Sequence, residues 1–170
     1  MKKQTNVDIR YTRPMDVSYL REWLQTPLVM EHFPMSDAQE VATASDCWLS
    51  YCRYQSSLTA TDNQVPCGIA TLFLCPYQKI RHHCSFRICV DPNRWREGIG
   101  ESLIKNIRHL AKEYFHLEEV HLEIYGEQSP ILFLLQKFGF QEFARQEHYL
   151  KTPNGYLPRI CMLSNLLEEG

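Results

Sequence analysis

From Asp91 to Ser102 the run DPNRWREGIGES sets two arginines and two glycines around the start of a helix. A chain that leaves a strand, turns at Asp91-Pro92 and opens a helix leaves its first backbone N–H groups without intrahelical acceptors. Those amides lie at the positive end of the helix dipole and need an acceptor. Glycine at 98 and 100 removes the Cβ atoms that would hold a bulky anion away from the backbone, so a pyrophosphate fits the turn. Arg94 and Arg96 could add charge-assisted hydrogen bonds to phosphate oxygens. The same pattern also suits a plain helix start flanked by solvated arginines. It matches neither a P-loop nor a GxGxxG run ahead of an acidic ribose ligand, so spacing alone leaves both readings open.

Other reactive residue types are less organised. The seven cysteines form an odd set without CxxC spacing, which argues against a disulfide framework or a zinc site and fits a reducing cytoplasm. Each reads as a small apolar filler, Cys84 included. His82 and His83 stand together without the spacing of a metal site, and no metal is expected. A net charge of −2 offers no general attraction for polyanions, so nucleic acid is not an expected partner. At 44% hydrophobic and 22% charged residues the composition is that of a globular protein, and 170 residues fit a single domain, 1–170. The lysines near the N-terminus have no apolar run behind them, and no window approaches the ~20 apolar residues of a membrane span, so neither export nor a membrane partner is expected.

The elements that must position the glycine turn follow from periodicity. Residues 7–11, VDIRY, alternate and predict a first strand. Apolar residues at 17, 20, 23 and 24 predict a helix with Asp16 as N-cap and Pro27 as its stop. A second helix is expected after Asp37, with Glu40 three residues on as in a capping box. The linker between these helices, 28–34, holds Glu31, His32 and Phe33. Residues 56–66 read as a polar turn region, and VPCGIATLFLCP and HHCSFRICV as paired strands. Leu103, Ile104, Ile107, Leu110 and Ala111 recur at helical spacing to about residue 116. VHLEIY is a strand, and Pro130 opens a short helix that ends at Gly139. Two strands around Pro153-Asn154-Gly155 close a hairpin. The order β α α β β α β α β β makes a mixed α/β fold, a sheet flanked by helices.

Taken together, ICVDPNRWREGIGESLIKNI and VHLEIYGEQSPILFLLQKFGF resemble the acetyl-CoA-binding core of the GNAT superfamily of N-acetyltransferases. In that family a strand ending in V-x-P leads to Q/R-x-x-G-x-G/A and a helix, followed by a strand and a short helix ending in GF. The likeness covers about 67–140 in its motifs, and its order of elements covers nearly the whole chain. The first segment, TRPMDVSYLREWLQTPLVMEHF, and the closing hairpin are similar to the RimJ/RimL-like and polyamine-acetylating branches. The resemblance implies a central, mostly antiparallel twisted sheet of six to seven strands with about four helices. It implies acetyl-CoA as co-substrate, and an amine on a protein, polyamine or small molecule as acceptor.

By that resemblance the backbone of Trp95, Arg96, Glu97, Gly98, Ile99, Gly100 and Glu101, with Ser102, would hold the CoA pyrophosphate, with Arg94 a further cofactor-binding candidate beside it. The exposed main chain of Ile88, Cys89 and Val90 would pair with the pantetheine arm. Trp95 stands where the family has Gln or Arg, which removes one expected phosphate contact. Amide formation needs a neutral amine, hence a base, and Glu123 matches the glutamate that serves in ribosomal-protein-acetylating members; desolvation in a cleft would suit it to that role. The tyrosine that protonates the departing thiolate in many relatives is replaced by Leu135. Tyr125 or Tyr149 could take its place, or the thiolate could leave unaided. Gln128 corresponds to an asparagine that binds the pantetheine arm. Glu31, His32 and Phe33 fall in the acceptor-binding loop. A monomer and a homodimer paired through the closing hairpin are both compatible with the sequence. Two other functions fit the sequence, a CoA-binding sensor or interaction subunit and a ligand-free structural domain.

Overall fold

The computed structural model describes residues 6–168. The lysine-bearing N-terminus, where no leader is expected, lies almost wholly outside them. The departure from the sequence reading is greatest at 56–66, where the supposed polar turn is a buried strand, β2 (Ser57–Asp62). Its Ser and Thr side chains are hidden because they satisfy one another: Ser57 Oγ lies 2.8 Å from Thr12 Oγ1 and 2.7 Å from Thr71 Oγ1. Thr59 Oγ1 lies 2.9 Å from Asp16 Oδ2. Hydroxyls paired in this way cost little to bury, and threonine's β-branch favours the pleat. Asn63 and Gln64, both at positive φ, make the tight turn into β3 (Val65–Phe73).

Seven strands form one sheet in the order β1-β2-β3-β4-β5-β7-β6. The others are β1 (Asp8–Tyr11), β4 (His83–Val90), β5 (Glu119–Tyr125), β6 (Gln141–Thr152) and β7 (Gly155–Asn165). Every neighbouring pair is antiparallel except β4 and β5. The helices are α1 (Val17–Gln25), α2 (Pro27–Met30), α3 (Ala38–Ser50), α4 (Ile99–His109) and α5 (Pro130–Lys137), one more than expected. Pro27 does not merely stop α1; it occupies the first turn of α2, where its missing N–H has no cost. None of the described helices is long and apolar enough to cross a membrane.

Each face of the sheet carries its own core. On one face α4 lays Ile99, Leu103, Ile104 and Ile107 on β3 and β4, and α5 adds Leu135, which is fully buried. On the other, α1, α2 and α3 bring Leu20, Trp23, Leu24, Val29 and Trp48 onto Ile69 and Cys89. Asp16 precedes α1 but makes no side-chain cap. Its carboxylate instead takes Arg10 Nη1 at 2.7 Å and Nη2 at 2.9 Å, tying the start of α1 to β1. Asp37 does cap α3, accepting from Glu40 N at 2.8 Å.

Candidate active site

The parallel pairing of β4 with β5 lasts for three residues only: His83 opposite Glu119, Cys84 opposite Val120, Ser85 opposite His121. Beyond them each strand stays held on its outer side, β4 by β3 through Val90 and β5 by β7 through Tyr125. The facing edges therefore separate, and backbone donors and acceptors that a sheet would pair are left for another partner. A cleft of about 620 Å³ opens in the gap. Its apolar lining comes from Phe86, Ile88, Leu122, Ile124, Ile131 and Leu134.

The α4 end of the cleft is built from main chain. Gly98 caps α4 at φ +85°, a left-handed conformation that side chains resist, and a Cβ there would meet nothing within 4 Å. Ser102 N is the first amide to donate within the helix, to Gly98 O at 3.1 Å. The amides of Ile99 and Gly100, which line the cleft, thus precede the helical ladder. At Gly100 a Cβ would stand 3.1 Å from Leu134 Cδ2, so the bare backbone is what keeps this corner open. The open space over Gly98 lies at the positive end of the α4 dipole, where a negative charge is favoured.

The two arginines of the turn part company. Arg94 lines the cleft but is held by Glu97 Oε2 at 2.6 Å and Asp62 Oδ2 at 2.9 Å, and these carboxylates raise its pKa, Glu97 most. It braces the turn against the β2–β3 hairpin. Arg96, exposed at φ +68°, also lines the cleft and forms no ion pair among the described residues. Trp95 turns to the other face: its ring joins the α1–α3 core and its Nε1 donates to Val90 O at 3.1 Å.

The β5 wall is built from side chains. Glu123 accepts from Tyr125 Oη at 2.7 Å through Oε2 and from Arg159 Nη1 at 3.0 Å through Oε1. With 35% of its side chain exposed, Glu123 does not meet the desolvation expected of it. Tyr125 is 7% exposed; burial first, then its hydrogen bond to Glu123, raises its pKa well above the phenol range. At neutral pH the phenol keeps its hydrogen and donates it to Glu123. Tyr149 stacks on Tyr125 at 5.8 Å, and the Arg159 guanidinium lies 4.5 Å from its ring centre.

Most of the residues singled out in the sequence meet here. Ile88, Cys89, Val90, Arg94, Trp95, Arg96, Gly98, Ile99, Gly100, Glu101, Gln128, Glu123, Tyr125, His32 and Phe33 all line the cleft. Glu97, Ser102, Tyr149 and Glu31 do not line it. Glu31 points its exposed carboxylate at His32, 3.4 Å away; burial lowers the His32 pKa, which leaves the ring neutral at pH 7. The Cys84 thiol, fully buried, is pushed up to about 12 by desolvation and is inert packing. The sequence reading missed Arg87, Ser129 and Val29 on the wall and Arg159 behind it. An arginine inside the otherwise apolar run SFRICV was a usable signal for Arg87; nothing short of the β5–β7 register points to Arg159.

Comparison with known proteins gives the site a context. A family model described as the acetyltransferase (GNAT) family matches residues 17–140. Over 54 residues the chain is 39% identical to an N-alpha-acetyltransferase of Sulfurisphaera tokodaii, a stretch that is 32% of each chain. The chain thus spans about a third of the length of the curated relatives it matches. Solved structures are similar over much more. The ribosomal-protein-S18-alanine N-acetyltransferase from Escherichia coli is 17% identical with a TM-score of 0.71, covering 96% of both chains. A protein from Salmonella typhimurium solved with its cofactor acetyl-CoA is 16% identical with a TM-score of 0.77, again over 96% of both. At these identities the likeness is one of fold.

Proposed function

The chain belongs to the acetyltransferase (GNAT) family, and on that footing we propose that it transfers an acetyl group from acetyl-CoA directly to a primary amine. The observation that carries this reading is the separation of β4 from β5 after three pairs, beside the open amides of α4. The Salmonella typhimurium structure with acetyl-CoA supports the choice of co-substrate. In this reading the amides of Ile99 and Gly100 and the Arg96 side chain hold the diphosphate, and the free edge of β4 with Gln128 holds the pantetheine arm. Bound there, acetyl-CoA supplies an activated thioester, whose C–S bond breaks as a C–N bond forms.

Proton handling falls to the β5 wall. An acceptor ammonium loses two protons overall: one makes it a nucleophile, and one leaves when the amide forms. Glu123 takes the first and passes it to solvent; the second ends on the released thiol. Two of the roughly four lone-pair sites of the Glu123 carboxylate are taken by Tyr125 and Arg159, which leaves room for an ammonium N–H. With Leu135 buried and Tyr125 holding its proton, the thiolate departs without a side-chain acid, as its modest basicity permits. Seven unpaired cysteines support a reducing, cytoplasmic setting. Calorimetry with acetyl-CoA followed by free-thiol release over an amine panel tests the reading. Binding at one site with turnover is expected, and absence of binding would overturn it.

A further inference from the structure

The register that opens the cleft also sets two opposite charges across it. Ser85 and His121 are the last paired residues, so Arg87 and Glu123, each two further on, project from the same face at the same level of the two walls. Both line the cleft. Glu123 has its own cation in Arg159. Arg87 has no carboxylate partner among the described residues; its guanidinium lies 5.2 Å from the ring centre of Phe73 and is exposed. Stacking on an aromatic face steers a guanidinium without neutralising it, so the fork stays free to donate two hydrogen bonds to an anion.

Resting on the acetyltransferase reading, we propose that Arg87 selects the acceptor, and that the acceptor is a small amine carrying a carboxylate next to the amine, as a free α-amino acid does. The ammonium end lies against Glu123 and the carboxylate end is held bidentately by Arg87. This choice narrows the classes left open by the sequence. A polyamine would set a second ammonium against Arg87, and like charges repel at this range. A polypeptide N-terminus has an amide where the amino acid has its carboxylate, and would cover Arg87 without giving it an anion. His32 lines the same cleft, and burial lowers its pKa, which works against a competing positive charge there.

The test uses the full chain and acetyl-CoA, with thiol release measured for glycine, alanine, methionine, glutamate and tryptophan, each beside its C-terminal amide. Spermidine and a peptide with an acidic N-terminal residue complete the panel. Free amino acids are expected to exceed their amides in kcat/KM by about 10- to 100-fold, the worth of a hydrogen-bonded charge pair. Arg87→Gln should raise KM for the acids by a similar factor and change kcat/KM for the amides by far less, so that the preference for acids is lost; Arg87→Lys should fall between. Calorimetric binding of acetyl-CoA by the variant shows that it is folded. Equal use of acids and amides, preference for spermidine or the peptide, or a preference that survives Arg87→Gln overturns the proposal and leaves the acetyltransferase reading standing. Failure to bind acetyl-CoA overturns both.

Discussion

On the α4 side of the cleft the groups offered to a ligand are peptide amides, whereas on the β5 side they are a carboxylate, a phenol and a guanidinium. The first wall needs only that α4 start at Gly98 and that nothing fill the corner at Gly100. The second depends on β5 and β7 pairing in one register, with Tyr125 opposite Arg159 and Glu123 opposite Cys161, so that Arg159 can reach one strand over and two residues along. A slip of one residue would send every one of those side chains to the opposite face. On the proposed reading, main chain aided by Arg96 grips the diphosphate common to any reaction with acetyl-CoA, and the side chains of the second wall carry what differs between acceptors. If the division is real, a change in one wall should alter one kinetic quantity and spare the other.

The largest effect is expected at the side-chain wall. Glu123→Gln keeps the shape and a hydrogen-bonding oxygen but cannot accept the amine's proton, so kcat should fall by about 10²- to 10⁴-fold. Acetyl-CoA affinity measured by calorimetry should stay as it was. Retention of the wild-type pH–rate profile in this variant would remove Glu123 as the base. The reciprocal change is Gly100→Val. Its Cβ alone would stand 3.1 Å from Leu134 Cδ2, so the added side chain crowds the corner that the diphosphate needs, and the Kd of acetyl-CoA should rise roughly 30-fold, a loss of about 2 kcal/mol in binding. Turnover at saturating cofactor should be little altered. A fall in kcat with Kd unchanged would erase the distinction between the walls.

What could be read in advance follows the same division. Gly98, Gly100 and the periodic residues of α4 announce a helix start with open amides, because that signal is local. The hairpin at Pro153-Asn154-Gly155 was legible for the same reason, and Thr152 indeed pairs with Gly155. Strand β2 was not, because Ser57 and Thr59 look solvated until Thr12, Asp16 and Thr71 arrive from other parts of the chain to meet their hydroxyls. The sequence offers Arg94 as a phosphate ligand with Glu97 three residues on, but its second partner, Asp62, lies 32 residues away across a hairpin that the local pattern does not announce. The base candidate was found by family likeness; its holder, Arg159, depends on sheet register alone.

A smaller effect should separate the groups within the β5 wall. Tyr125→Phe removes the donor to Glu123 Oε2 and leaves the ring stacked on Tyr149, at a cost of about 1 kcal/mol of stability near pH 8. Burial and the bond to Glu123 raise the folded pKa of Tyr125 above the unfolded value of about 10. The stability gained by keeping the phenol neutral is therefore present below pH 10 and lost as pH climbs toward the folded value. Denaturant melts should show the gap between wild type and variant narrowing above pH 10. A gap that is constant with pH would mean that the hydroxyl contributes through packing alone.

Trp95 offers the smallest effect and the sharpest test of the main-chain wall, because it stands where relatives carry a polar phosphate contact. Here its ring belongs to the α1–α3 core and its indole N–H is given to Val90 O at 3.1 Å. Trp95→Phe should keep most of the apolar contact and lose that one bond, about 1 kcal/mol of stability in a denaturant midpoint. Since the amides of Ile99 and Gly100 are untouched, the Kd of acetyl-CoA should move by less than about threefold, a change under 0.7 kcal/mol. A tenfold loss would show that the indole steadies the β4 end of the cleft through Val90, and that a side chain on the far face is part of the cofactor's grip after all.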